Sequence, residues 1–287
     1  MHSYFKNKKA KKEFERLYFK KINLLGIPYE MQCIETSFGD TNIIITGHFN
    51  KPHLVLLHDS NSCAPVALEM YQELVHHFRI FAIDVPGQPN LSAEVRLNRL
   101  DQSYGKWMFE IMSRLKVEKA TLIGISFGGF ICLKSLAFDE KRIEKSFLIF
   151  PDGIVKNNPL EIFWKVRLPQ QLYRWNRKAK FLEQYQKALF SDGDIFVLEL
   201  LSKTILDYDM DFSPVPMLTK SEAANIKTPI YLIAGEKDLS NPGEILIQVA
   251  KTKLPTLKES FLIKGSKKTP DFDDIQQIIN MILKNQI

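Results

Sequence analysis

Short, continuous apolar runs alternate along the chain with segments of helical period, and this alternation restricts the fold more than any other feature. Leu54-Val55-Leu56-Leu57 and Ile80-Phe81-Ala82-Ile83 have the length of strands buried on both faces. Between them Val66, Ala67, Met70, Tyr71, Leu74 and Val75 repeat on one helix face. Trp107, Met108, Ile111, Met112 and Leu115 repeat that pattern before a third buried run, Thr121 to Ile125. Phe147 to Phe150, Ile230 to Ala234 and Phe261 to Ile263 are further strand candidates, and Ile275, Ile278, Ile279, Ile282 and Leu283 share one face of a last helix. Cys33 to Phe38 and Asn42 to Thr46 flank Gly39-Asp40, which predicts a leading hairpin turning there. Such alternation implies a mostly parallel sheet with helices on both faces.

The regularity breaks between about residues 152 and 225. That stretch is helix-leaning and aromatic (Phe163, Trp164, Tyr173, Trp175) and reads as an inserted helical cap, with the sheet resuming at Pro229. The expected organisation is a basic N-terminal helix over 1–24, a first core part over 25–153, the cap over 154–225 and a second core part over 226–287.

Gly124-Ile125-Ser126-Phe127-Gly128-Gly129 stands where a buried strand gives way to a helical pattern. A side chain at the tip of so tight a turn needs small neighbours two residues either side, because larger ones would collide as the chain reverses. The turn is expected to expose the Ser126 hydroxyl at the carboxyl end of the sheet, where open α/β folds place their ligands. The backbone N–H of Phe127, opening the helix, is then placed to donate to an oxyanion. Neither a dinucleotide fingerprint nor a phosphate loop is present in the sequence.

These residues resemble the α/β-hydrolase superfamily, most closely its bacterial carboxylesterase-type branch. The strand Leu54 to Leu57 ending in His58 is similar to the family strand that ends in His-Gly. Ile83-Asp84-Val85-Pro86-Gly87 resembles the family's Asp-x-Pro-Gly turn, and Ile230 to Asp238 resembles the late strand that ends in Gly-x-x-Asp. The resemblance implies an α/β-hydrolase fold and a serine hydrolase of carboxylic esters. Ser126 would be the nucleophile, Asp238 the acid, and the N–H groups of Phe127 and Ser60 the oxyanion donors. The substrate would be a small, fairly apolar ester beneath the cap, and no cofactor is implied.

Two positions depart from that pattern. No histidine occurs beyond His77, and the loop that should carry one reads Lys264-Gly265-Ser266-Lys267-Lys268-Thr269-Pro270. One spacing rule puts the missing imidazole at Lys268, another at Ser266. Without a base a serine hydroxyl is a poor nucleophile at neutral pH, and loss of the histidine in a serine protease lowers kcat by about 10⁶. Asp59 replaces the glycine of His-Gly, bringing a carboxylate close to where an oxyanion would form. Lys268, if its pKa were depressed, and His58, beside the expected site, are the candidate substitute bases; Asp152 is the alternate acid. A catalytically silent hydrolase fold that binds a small molecule or partner is therefore the rival expectation.

The 39 basic and 33 acidic residues leave a formal charge of +6. Lys6, Lys8, Lys9, Lys11 and Lys12 form a basic run ahead of Phe14, Leu17 and Tyr18, expected to be a solvated helix packed on the core rather than a nucleic-acid or membrane anchor. No apolar run approaches a membrane span, the first residues lack a signal-type hydrophobic segment, and Cys33, Cys63 and Cys132 form no paired framework. A cytoplasmic protein without stable membrane insertion is expected. His2, His48 and His53 stand apart from one another and show no metal-ligand spacing.

Overall fold

The computed structural model describes residues 3–156, 158–191 and 195–286, with the side chains of Ile195 and Phe196 left aside. Met1 and His2 lie outside the described residues. One eight-stranded sheet forms among them: β1 Tyr29–Thr36, β2 Gly39–Thr46, β3 His53–Leu57, β4 Arg79–Ile83, β5 Ala120–Ile125, β6 Ile143–Ile149, β7 Ile230–Gly235 and β8 Leu257–Ile263, in the order β1-β2-β4-β3-β5-β6-β7-β8. The pairs β1/β2 and β2/β4 are antiparallel, and every later pair is parallel.

The helices are α1 Lys8–Leu24, α2 Ala64–Met70, α3 Ser103–Arg114, α4 Phe127–Phe138, α5 Pro159–Ile162, α6 Leu168–Asn176, α7 Ala179–Leu189, α8 Ile195–Asp207, α9 Lys220–Asn225, α10 Gly243–Lys253 and α11 Phe272–Lys284. A π-helical turn, Phe163–Arg167, joins α5 to α6. Helices α5 to α9 all fall between β6 and β7, the cap interval.

Alternation along the strands divides the interior in two, because successive side chains of a strand point to opposite faces. Val55 and Leu57 join Trp107, Phe130, Leu133 and Leu246 on the α3–α4–α10 side. Leu54 and Leu56 join Leu17, Ile22, Leu68, Ile278 and Ile282 on the α1–α2–α11 side. The basic run at the N-terminus belongs to this second layer: Asn7 caps α1 through its side chain, and Phe14, Leu17, Tyr18 and Ile22 are buried while Lys8, Lys9 and Lys12 stay in solvent.

The hairpin turns earlier than the Gly39-Asp40 signal suggests. Thr36 pairs with Gly39, so Ser37-Phe38 form the loop and Gly39 opens β2. The Thr36 hydroxyl donates to the Gly39 carbonyl, and Gly39 takes a φ of +102°, a conformation that glycine alone reaches easily. The glycine thus ends the turn rather than filling it.

Candidate active site

Ser126 sits between β5 and α4 with φ 50° and ψ −105°, a sparsely populated conformation for a non-glycine residue. Its carbonyl accepts from Gly129 and Phe130 in the helix and from Asp152 beyond β6, and its own N–H donates to Ile149. The glycine requirement is steric. A Cβ on Gly128 would lie 2.4 Å from the Leu57 carbonyl oxygen, and one on Gly124 would lie 2.4 Å from that of Gly128. Backbone blocks both positions, so Gly128→Ala should cost about 3 kcal/mol or more of stability. Chemical denaturation measures this directly, and an unchanged midpoint would contradict the tight packing of β3 on α4.

Ser126 differs from the sequence expectation in one respect: it is wholly buried. Its Oγ donates to Asp152 Oδ2 at 3.1 Å, and Asp152 Oδ1 accepts from Asn241 Nδ2 at 2.9 Å. Asp59, Asp152 and Lys268 border a cavity of about 1460 Å³, whose walls elsewhere include Val66, Met70, Val166 and Leu201. Ser126 is not on that border.

Asp59 is the most consequential of the three. Its Oδ1 accepts the Ser60 N–H at 2.6 Å and the Phe127 N–H at 3.4 Å, the two groups expected to hold an oxyanion. A carboxylate oxygen already occupies their convergence. Its Oδ2 faces Lys268 Nζ at 3.4 Å. Burial alone would lower the Lys268 pKa, but Asp59, Asp152 and Asp238 outweigh it, and the ammonium is held above its ordinary range. Lys268 is a cation at any physiological pH.

Asp238 follows β7 and is almost fully buried. Its Oδ1 accepts from the Ser240 N–H at 2.8 Å, while Oδ2 is buried without a hydrogen-bond partner among the described residues. Burial pushes its pKa up to about 6, partly offset by Lys268. Tyr185 from the cap lies close enough to feel Lys268, and burial raises its phenol to about 12.

His58 plays a different part from that of a base. Its Nε2 accepts the Val85 N–H at 3.0 Å, which leaves Nδ1 to carry the proton and donate to the Asp59 carbonyl at 2.6 Å. Burial lowers its pKa. Both ring nitrogens are spent on backbone, so the imidazole stays neutral and fixes the loop that carries Asp59. Ser266, the other residue considered for the imidazole slot, is buried with its hydroxyl toward the Lys267 carbonyl at 3.3 Å.

The structure therefore brings Ser126, Phe127, Ser60, Asp59, Asp152, Asp238 and Lys268 into one cluster. Asn241 is the member that sequence reasoning missed: an Asn-Pro before a helix gives no sign that its amide reaches a carboxylate 89 positions away. No group of three or more His, Cys, Asp or Glu side chains among the described residues is arranged to hold a metal ion.

A family model described as alpha/beta hydrolase fold matches residues 52–192. Carboxylesterase YbfK of Bacillus subtilis (strain 168) is 24% identical over 260 residues, covering 85% of this chain and 84% of the relative. The same organism's uncharacterized carboxylesterase nap is 25% identical over 264 residues, covering 88% and 85%. Among solved structures, naproxen esterase (carboxylesterase NP) from B. subtilis superposes with a TM-score of 0.80 at 19% identity, over 94% of this chain and 96% of that one. Carboxylesterase CesB (YbfK) from the same organism gives 0.81 at 20% identity, over 96% and 98%.

Proposed function

Because the chain belongs to the α/β-hydrolase superfamily, in its carboxylesterase-type branch, we propose that its serine site is a hydrolase site held silent, and that the protein binds a small, largely apolar molecule of ester type in the cavity under the cap. The observation that carries this reading is the position of Asp59 Oδ1 between the Ser60 and Phe127 N–H groups. Oxyanion stabilisation is commonly the largest single contribution to acyl transfer. Here a second negative oxygen would have to displace the first.

The missing base supports the same conclusion. Ser126 Oγ must lose its proton as it attacks, and its one hydrogen-bonded acceptor among the described residues is the Asp152 carboxylate. A carboxylate is a far weaker base than imidazole. Lys268 occupies the loop where the imidazole would stand, and as an ammonium it has no lone pair to offer. The cavity remains large enough for a drug-sized ligand.

A second reading, slow ester hydrolysis by Ser126, is favoured by the preserved elbow and by the Ser126–Asp152 bond. The two separate in one experiment. The full-length protein is treated with a fluorophosphonate probe and assayed on short p-nitrophenyl esters, with Ser126→Ala as control. The silent reading predicts no labelling and no Ser126-dependent turnover, while an uncharged ester analogue still protects the fold against thermal unfolding. Labelling and turnover that both vanish in Ser126→Ala would overturn it.

A further inference from the structure

The cap carries a feature that neither the serine site nor the cavity explains. From Pro159 to Asn176 the chain is helical throughout, α5 running through the π-turn into α6. Val166, Pro169, Gln170 and Tyr173 bury one side. On the opposite side Leu160, Trp164, Gln171 and Trp175 follow one another at spacings of four, seven and four, the period of one helix stripe. Three of these four are large and apolar, and they point into solvent: Trp164 is 59% exposed, Trp175 84%, and Leu160 67%. Phe163 is exposed beside Trp164, edge to face.

The charge around this stripe is one-sided. Residues 156–180 hold seven Lys or Arg and a single acid, Glu161. Removing them from the chain's 39 bases and 33 acids leaves 32 of each, so this short stretch accounts for the whole formal charge of +6. Trp164 also forms one wall of a shallow surface depression of about 540 Å³, walled by Lys165, Lys187, Lys237 and Lys267 around Leu239, with no carboxylate among its walls. Lys165 pairs with Glu161, and Lys267 donates to the carbonyls of Lys187 and Phe190.

We propose that this face of the cap docks the protein on an anionic phospholipid surface, with Leu160, Phe163, Trp164 and Trp175 entering the headgroup–acyl boundary and the lysine-walled depression receiving lipid phosphate. Exposed Trp and Phe among Lys and Arg on one helix is the composition of an interfacial helix, where indole rings settle at headgroup level and basic residues meet anionic lipid. No helix among the described residues is long and apolar enough to cross a membrane, so the contact is peripheral. A polynucleotide would use the bases and the indoles but gain nothing from Leu160. A second copy would present the same positive face and be repelled. The other basic segment, α1, cannot serve, because its Phe14, Leu17 and Tyr18 are turned into the core.

The full-length chain is sedimented with phosphatidylcholine vesicles, with and without about 30% phosphatidylglycerol. Binding to the anionic vesicles should exceed that to the neutral ones by about tenfold or more and fall steeply between about 0.1 and 0.5 M NaCl. Trp107 is buried, so a blue shift of tryptophan emission on anionic vesicles reports Trp164 and Trp175. Trp164→Ala with Trp175→Ala should reduce binding about tenfold and abolish the shift, while Lys187→Gln with Lys237→Gln should weaken anionic binding alone. Circular dichroism checks that both variants stay folded. Failure to bind anionic vesicles, binding undiminished in the tryptophan variant, or retention by heparin without vesicle binding would each overturn the proposal.

Discussion

Asp59→Gly combined with Lys268→His should create Ser126-dependent esterase activity on p-nitrophenyl acetate at least about 10³-fold above the wild-type rate, while either change alone should give little. The argument is one of paired deficits. A serine site without its imidazole loses about 10⁶ in kcat, and loss of one oxyanion donor lowers it about 10²–10³. Lys268→His restores a base but leaves Asp59 Oδ1 on the Ser60 and Phe127 N–H groups. Asp59→Gly clears those donors but leaves an ammonium on the loop where the imidazole would stand. Together they remove one positive and one negative charge, so the cluster keeps its balance. The new imidazole would stand near Asp152 and Asp238, either of which can orient it. If the double variant shows no rate that Ser126→Ala abolishes, the loop at 268 does not face the serine and the silent-site reading loses its mechanism.

Lys268→Met should destabilise the fold by about 3 kcal/mol near neutral pH, because removing the cation from a largely buried charge cluster leaves its carboxylates, the almost fully buried Asp238 above all, uncompensated. For a chain of this size that corresponds to a fall in Tm of roughly 6–12 °C. The pH dependence identifies the cause. Asp238 already has its pKa raised to about 6 by burial, so the folded state favours its protonated form, and the stability it contributes is present at low pH and lost as pH rises from about 4 through 6. Without Lys268, which partly offsets the effect of burial, the rise at Asp238 grows. The variant should therefore lie close to wild type at about pH 4 and diverge from it by pH 7. Lys268 has the opposite sign: its raised pKa means its contribution holds below the ordinary lysine range and fades only in strong alkali. Thermal melts of both proteins across this range provide the check, and a deficit independent of pH would mean that lost packing, not charge, is responsible.

How far the sequence reveals this molecule depends on whether a property belongs to residue type or to side-chain direction. The central strands are legible because burial on both faces demands continuous apolar runs, as at Leu54–Leu57 and Ile80–Ile83. The elbow is legible because only glycine fits against the backbone at 124 and 128. The absence of an imidazole is a fact of composition, and the hazard of a carboxylate at 59 follows from its position. What the sequence hides is geometry between loops far apart in the chain. Nothing local to Asp59 shows that one oxygen turns toward Ser60 and Phe127 while the other turns to Lys268. Nor does Asp152 declare that it accepts the Ser126 hydroxyl and is braced by Asn241. The hairpin erred by two residues because Gly-Asp is a turn signal whether the glycine fills the bend or ends it.

The N-terminal helix, expected from the sequence to pack on the core, also reaches a buried polar centre: the Tyr18 hydroxyl donates to Asp84 at 2.9 Å, and Asn42 of β2 donates to the same oxygen. The other Asp84 oxygen takes the Ala64 N–H at the start of α2. One sequestered carboxyl group thus ties α1, β2 and α2 to the end of β4. Trimming the first two dozen residues to reach a minimal domain would strip a donor from that anion and uncover an oily strip along the second layer. The shortened polypeptide would be a candidate for inclusion bodies rather than for assay.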